Sequence, residues 1–315
     1  MPATRIVADV GGTNTRIALF DPVTGEYRSF SSYLNREFSR FEDVITRWLE
    51  TLDEPAPQIC CIAIAAPPSP DVVVMANMDW SFSCRELAAT FGFELRRLND
   101  FEASAYALPH LTESDTELLH RGSNSEPSAR LAIIGPGTGL GGATLGWCEG
   151  SPVSFACEPG FMGLTPGSPL ELELFGLLQA RHSHIYAELL VSGPGLLRLY
   201  GALAEITGQS QDKLDSAGIS TRALANEDSL CVLALDTFSA LLGSLCGDFL
   251  LANGSYGGLY LAGGIVPQII PFLNKSSFHQ RLIAKGAMRR ILDPVPVYVI
   301  TTGQPGLIGA AHAPL

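Results

Sequence analysis

The stretch DVGGTNTR, Asp9 to Arg16, follows the apolar run Ile6-Val7-Ala8 and continues into TRIALF, which alternates apolar and polar residues as a half-buried strand does. A phosphate loop of the GxxxxGK[ST] type needs a lysine after its last glycine and a helix behind it. Neither is present, because the three lysines (Lys213, Lys275, Lys285) each follow a residue other than glycine. The run therefore reads as strand, tight turn, strand, with Gly11 and Gly12 at positions that call for positive φ. Such a turn aims successive backbone N–H groups at one point. With the Thr13 hydroxyl, the Asn14 amide and Arg16 beside it, it can cradle a phosphate, while Asp9 at the strand end can hold Mg²⁺ through water. An ordinary Gly-Gly hairpin remains the other reading of the same residues.

A second glycine run, GPGTGLGGA from Gly135 to Ala143, follows the apolar strand LAII. Gly137 to Gly142 satisfies G-x-G-x-x-G, and Glu158 lies about twenty residues on, so a dinucleotide turn has to be considered. That turn must open a helix, whereas ATLGW (143–147) is short and broken by glycine before Gly150. Read as strand, turn, strand, this run mirrors the first, and the backbone at Gly137, Thr138 and Gly139 becomes a second phosphate grip. A third turn, Gly263-Gly264 after the strand LYL, can lie flat against a purine or be a plain tight turn.

The chain has 315 residues, 46% of them hydrophobic, and a formal charge of −12 from 32 acidic and 20 basic residues. That balance leaves no basic footprint for nucleic acid or for an anionic membrane, so the expected partners are small molecules. Seven cysteines without a C-x-x-C pair argue against a disulfide framework and against a zinc cluster. The N-terminal residues lack a basic segment followed by an apolar one, so no signal peptide is expected. The longest apolar stretch, 231–252, is interrupted by Asp236, Gly243, Gly247 and Asp248, which suits a buried core helix better than a membrane span. A cytoplasmic protein is expected.

Strand and helix signals alternate along the chain. Strands are expected at 6–9, 15–20, 27–33, 59–65, 94–98, 131–134, 259–261 and 297–301. Helices are expected at 41–52, 100–108, 170–179, 195–208 and 229–252, the second capped by Asn99 or Asp100. The polar stretch Leu111 to Ala129 reads as a connection between two α/β units of related design with a ligand cleft between them.

In chain order, DVGGTNTR, CIAIAAP (61–67), LNDFEASA (98–105), GPGTGLGGA, VSGPGLLRLY (191–200), LAGGIVP (261–267) and QPGLIGAA (304–311) together resemble the bacterial glucokinase family, within the actin-like hexokinase superfamily and in its group without a zinc motif. The resemblance implies an α/β fold of two actin-like (ribonuclease H-like) domains with an interdomain cleft. The smaller domain would comprise 1–109 plus about 298–315, and the larger 110–297. It implies ATP- and Mg²⁺-dependent phosphorylation of glucose at the 6-hydroxyl, the entry step of glycolysis. Asp100 would be the base that takes the hydroxyl proton, and Asn99, Glu158 and Glu188 would be sugar ligands. ATP would meet Asp9, Gly11, Gly12, Thr13, Asn14, Gly137, Thr138, Gly139, Gly263 and Gly264. Taken singly, Asp100 reads more readily as a helix cap, and Glu158 and Glu188 as surface acids. A homodimer is left open.

One loop departs from the family pattern at two residues, Pro159, which stiffens it, and Phe161. Where the family has Glu-Gly-Gly-His, this chain has EPGF, so Phe161 stands where a sugar-contacting histidine is expected. His182-x-His184 lacks a third ligand at a useful spacing and does not read as a metal site. Besides a glucokinase, the sequence leaves open a kinase of the same fold for another hexose, a sugar or nucleotide sensor, and, more remotely, a dehydrogenase.

Overall fold

A computed structural model describes residues 3–66, 71–75, 78–123, 126 and 128–315. Pro67, the last residue of the quoted CIAIAAP, lies outside them. The chain divides into two units, one of residues 1–111, 147–156 and 302–315, the other of residues 112–146 and 157–301.

In the first unit, β1 (Arg5–Val10), β2 (Asn14–Asp21), β3 (Glu26–Leu34), β4 (Ile59–Ile64) and β7 (Glu94–Asn99) form one sheet in the order β3-β2-β1-β4-β7. A small ribbon of β5 (Val72–Val74) and β6 (Ser81–Ser83) stands apart from it. β1 runs antiparallel to β2 and parallel to β4, which is parallel to β7. β1 and β4 are buried almost throughout, as expected of central strands covered on both faces. Trp48 and Phe41 of α1 (Phe41–Leu49) sink into that core. Its periodic apolar face (Phe41, Val44, Ile45, Trp48) is what the sequence pattern detects. α2 (Cys84–Phe91) starts at the Ser83 hydroxyl, which accepts from the Glu86 N–H, and stops at Gly92 in the left-handed region. α3 (Asp100–Ala107) follows β7 directly. The C-terminal helix, Pro305–His312, packs tightly on α3, since a Cβ on Gly309 would overlap the Ala103 carbonyl.

A second sheet, drawn from the second unit apart from residues 147–156 of its β10–β11 edge, repeats the strand order. β9 (Leu131–Pro136), β10 (Leu140–Cys148), β11 (Ser151–Cys157), β12 (Gly258–Leu261) and β13 (Val297–Ile300) line up as β11-β10-β9-β12-β13, and β8 (Thr116–His120) adds an antiparallel edge beyond β13. β9 and β10 are antiparallel with Leu140 opposite Pro136, so the second glycine run joins two strands and opens no helix. The stretch 111–129 is more than the connection expected from its polarity. Its residues 116–120 form β8, a half-exposed edge strand whose pattern is too polar to betray it and whose partner lies about 180 residues away.

Helices α4 (Pro169–Gln179), α5 (Ala187–Leu190), α6 (Gly193–Thr207), α7 (Ser216–Ala225), α8 (Ser229–Asn253), α9 (Ile270–Leu273), α10 (Phe278–Ile283) and α11 (Arg289–Leu292) complete this unit. Among the described residues α8 alone is long and apolar enough to cross a membrane, and most of it is buried in the core of the unit. Gly243 and Gly247 let α10 approach it closely, because a Cβ at either position would strike the carbonyl of Phe278 or Leu282. A buried ion pair from Arg281 to both carboxylate oxygens of Glu171 ties α10 to α4.

Candidate active site

In the first unit, a buried asparagine shapes the turn between β1 and β2. Asn35, 1% exposed, donates its side-chain N–H to the Gly11 carbonyl (2.8 Å), accepts the Thr15 hydroxyl (2.8 Å), and donates its backbone N–H to the Thr13 carbonyl (2.9 Å). The Gly11 N–H closes the turn on the Asn14 carbonyl at 3.0 Å. Gly11 and Gly12 are not among the residues of positive φ, which corrects the expectation drawn from the sequence. The turn gains its shape from Asn35 rather than from left-handed glycines. Nothing local in the sequence around Asn35 signals that role, which depends on β3 returning beside β2.

Asp9, near the end of β1, lies against the first turn of the C-terminal helix. A Cβ on Gly306 would come within 2.9 Å of its carboxylate, which explains the glycine of QPGLIGAA. Burial pushes the Asp9 carboxyl up to about 6; Arg16, whose guanidinium is 3.5 Å away, opposes that rise, and the charge of Asp100 adds to it. Asp9 and Asp100 are therefore brought close enough to feel one another, although ninety residues separate them. Asp100 is the first residue of α3, where the helix dipole favours a carboxylate. The residue before it, Asn99, is the cap. Its Oδ1 accepts the N–H groups of Phe101 and Glu102, and Glu102 reaches back to the Asn99 N–H at 3.2 Å. The Asn99 amide nitrogen takes no part in the cap. A small cavity of about 90 Å³ opens beside it, lined by Ile64, Arg97, Asn99 and Glu102 among others.

In the second unit, four of the expected residues cluster. The Gly137 N–H bonds to the Gly139 carbonyl (2.8 Å), and the Gly137 carbonyl accepts the N–H of Gly193, the first residue of α6. The turn 137–139 thus sits at a helix N-terminus, where N–H groups and the dipole favour an anion. Glu188 accepts the Leu140 N–H at 2.8 Å, and a Cβ on Gly139 would collide with that carboxylate. Gly160 abuts the Leu140 carbonyl, and the buried Pro159 lies against Gly142, so the loop 158–161 is seated on the same turn. Glu158 itself is exposed. Phe161 is 63% exposed and stacks on Tyr186, ring centroids 5.6 Å apart, and Tyr186 in turn stacks against His184. Tyr186 carries no sequence signal of its own; the contact arises because Gly163 bridges to Tyr186 and the Ala187 N–H bonds to the Met162 carbonyl.

Gly263 takes φ +82°, and a Cβ there would fall 2.3 Å from the Pro136 carbonyl, so the turn 263–264 requires glycine. Gly264 borders a cavity of about 270 Å³ walled by Leu196, Ile265 and Leu224, with Ser216, Ser220 and Thr221 also lining it. Apolar walls with a few hydroxyls suit a planar heterocycle. The three hydroxyl residues stand on α7, a helix absent from the sequence-based expectation.

A sequence model described as Glucokinase matches residues 6–314. The chain belongs to the glucokinase family. It is a hexose kinase with the α/β fold of that family. It is 38% identical over 310 residues to the glucokinase of Saccharophagus degradans, covering 97% of this chain and 96% of that one. Among solved structures, the glucokinase of an Antarctic psychrotroph superposes with a TM-score of 0.91 at 34% identity, covering 99% of this chain and 98% of that one. The fold is shared more distantly, at 18% identity and a TM-score of 0.62, with a ROK family glucokinase from Streptomyces griseus determined in complex with glucose and AMPPNP, with coverage of 98% of each chain.

Proposed function

We propose that the chain catalyses ATP-dependent phosphorylation of glucose at the 6-hydroxyl, giving glucose 6-phosphate, with Asp100 as the base. The observation that carries the reading is family membership over residues 6–314 together with an intact LNDF, whose aspartate opens α3 and interacts with Asp9. Phosphoryl transfer asks a protein mainly for positioning and charge stabilisation, plus one carboxylate at the attacking hydroxyl. Asp100 takes the proton from the 6-hydroxyl as its oxygen attacks the γ-phosphorus, and the bond to the β,γ-bridging oxygen breaks to release ADP.

The amide nitrogen of Asn99 and the carboxylates of Glu158 and Glu188 hold sugar hydroxyls. The N–H groups of the turn 11–14 with Thr13, and those of the turn 137–139, hold the phosphates; Gly263 and Gly264 border the adenine pocket. Mg²⁺ fits this reading, since Asp9 offers a hard oxygen in a partly buried setting, with the carboxylate of Asp100 near enough to raise its pKa. When bound, the ion neutralises charge on the phosphates. The composition supports a cytoplasmic enzyme with small-molecule partners and no nucleic-acid or membrane surface. The smaller domain is taken from the motifs as residues 1–109 with about 298–315, and the larger as 110–297, a division that differs from the two compact units at 110–111, 147–156 and 298–301.

The Phe161–Tyr186 stack favours a second reading, a preference for a hexose that needs no hydrogen bond at that position. Coupled ADP release across a sugar panel, run with the wild type and Asp100→Asn, tests both readings. The expected result is glucose-dependent turnover that falls about 10²- to 10⁴-fold in the variant. Sugar binding without turnover in the wild type, or a variant with unchanged kcat, would refute the assignment.

A further inference from the structure

Among the described residues, and apart from those assigned to transfer, one group of side chains has the composition of a metal site. His120 ends β8, His279 is the second residue of α10, and Asp293 follows α11; one ligand atom from each lies within 4.8 Å of the other two. The two imidazoles stack with centroids 3.7 Å apart, and the His120 Nε2 contacts the Asp293 carbonyl at 3.1 Å. The His279 Nε2 is shielded from solvent and has no hydrogen-bond partner among the described residues. A sequestered nitrogen left unpaired in a protein interior costs free energy unless something occupies its lone pair or proton.

We propose that His120, His279 and Asp293 bind one divalent transition-metal ion of the zinc type, which clips the edge strand β8 to the helical layer of the second unit. Two imidazole nitrogens and one carboxylate oxygen suit zinc, cobalt or nickel, whereas magnesium prefers an all-oxygen shell, so this site is separate from the ion that accompanies ATP. At metal–nitrogen distances of about 2.0 Å, tetrahedral ligand atoms stand roughly 3.3 Å apart, so closure needs movements of about 1 Å. His120 makes its share by giving up the Asp293 carbonyl. The frame around the ligands is firm. α10 is pinned by the Arg281–Glu171 pair and by its close approach to α8. The segment after His120 is held along the Asp293 loop, where the Ser123 N–H bonds to the Pro294 carbonyl at 2.9 Å and Gly122 leaves no room for a Cβ.

The test uses the tag-free full chain, stripped with chelator, titrated calorimetrically with zinc chloride and spectroscopically with cobalt(II). We expect one equivalent of saturable zinc, a higher melting temperature with zinc, tetrahedral cobalt bands in the visible, and no competition from millimolar magnesium. His120→Gln, on the half-exposed edge strand, and His279→Gln should each weaken zinc about tenfold or more, on the scale of losses seen even for residues that only support metal ligands. Far-UV circular dichroism verifies that both variants fold; should His279→Gln fail to fold, His120→Gln with Asp293→Asn carries the test. His182→Gln should bind zinc as the wild type does. Absence of saturable zinc, unchanged affinity in folded His120→Gln, or loss of binding in His182→Gln would overturn the proposal.

Discussion

Replacing Asp9 by asparagine should stabilise the ligand-free protein while destroying its activity. The side chain is 17% exposed, and burial together with Asp100 raises its pKa from 3.8 to about 6 against the opposing pull of Arg16. An acid that is weaker in the folded state stabilises the native state fully only below its unfolded value, and native stability falls as pH rises through 3.8 to 6. At about 1.36 kcal/mol per pH unit, the native state at pH 8 carries a cost of about 3 kcal/mol from ionising Asp9; at pH 5 about half of it remains. Asp9→Asn removes that cost and forfeits only a long, partly exposed contact with Arg16, worth little. Thermal melts without nucleotide or Mg²⁺ should show the variant above the wild type by on the order of 5 °C at pH 8, with a smaller gap at pH 5. Mg²⁺ with ATP should raise the melting temperature of the wild type more than that of the variant, and turnover should be lost. If the variant melts at or below the wild type at pH 8, or if the gap does not shrink on acidification, the argument that Asp9 is held in an unfavourable, ligand-ready state is wrong.

Asn35→Ala leaves the Gly11 carbonyl and the Thr15 hydroxyl without partners in the core, so melting should show a loss of roughly 2–4 kcal/mol and the KM for ATP should rise more than the KM for sugar. Phe161→His restores a hydrogen-bonding ring beside Tyr186 and should lower the KM for glucose at least about fivefold with little change in the KM for ATP; an unchanged sugar preference would remove Phe161 from the sugar site. His312 stacks on His110 at 3.5 Å, and burial, with the charges of His110 and Arg5, pulls it down to about 4. A base weakened by folding contributes stability above 6.5 that is lost as pH falls from 6.5 through about 4, so His312→Phe should flatten the acid limb of the stability profile measured by urea melts between pH 7 and 4.

The parts of the fold that depend on near neighbours are legible in the amino-acid order alone. The strand-turn-strand reading of DVGGTNTR and GPGTGLGGA follows from alternation on both sides of the glycines, and β1–β2 and β9–β10 pair accordingly. The start of α3 was legible because Asn99 and Glu102 form a capping box within four residues. The α/β class and the family were legible because seven short motifs occur in order over the whole length. What required the tertiary structure depends on residues far apart in the chain. β8 is strand only because β13 returns beside it, and Asn35 shapes the first turn only because β3 folds back along β2. The raised pKa of Asp9 needs burial at the close approach of Gly306, and Asp100 on another strand–helix junction, and Tyr186 meets Phe161 only through the bridge at Gly163. Periodicity and capping are local and leave a record in adjacent letters. Burial, charge coupling and cross-strand contact arise when distant segments pack together, and no window of adjacent residues records them.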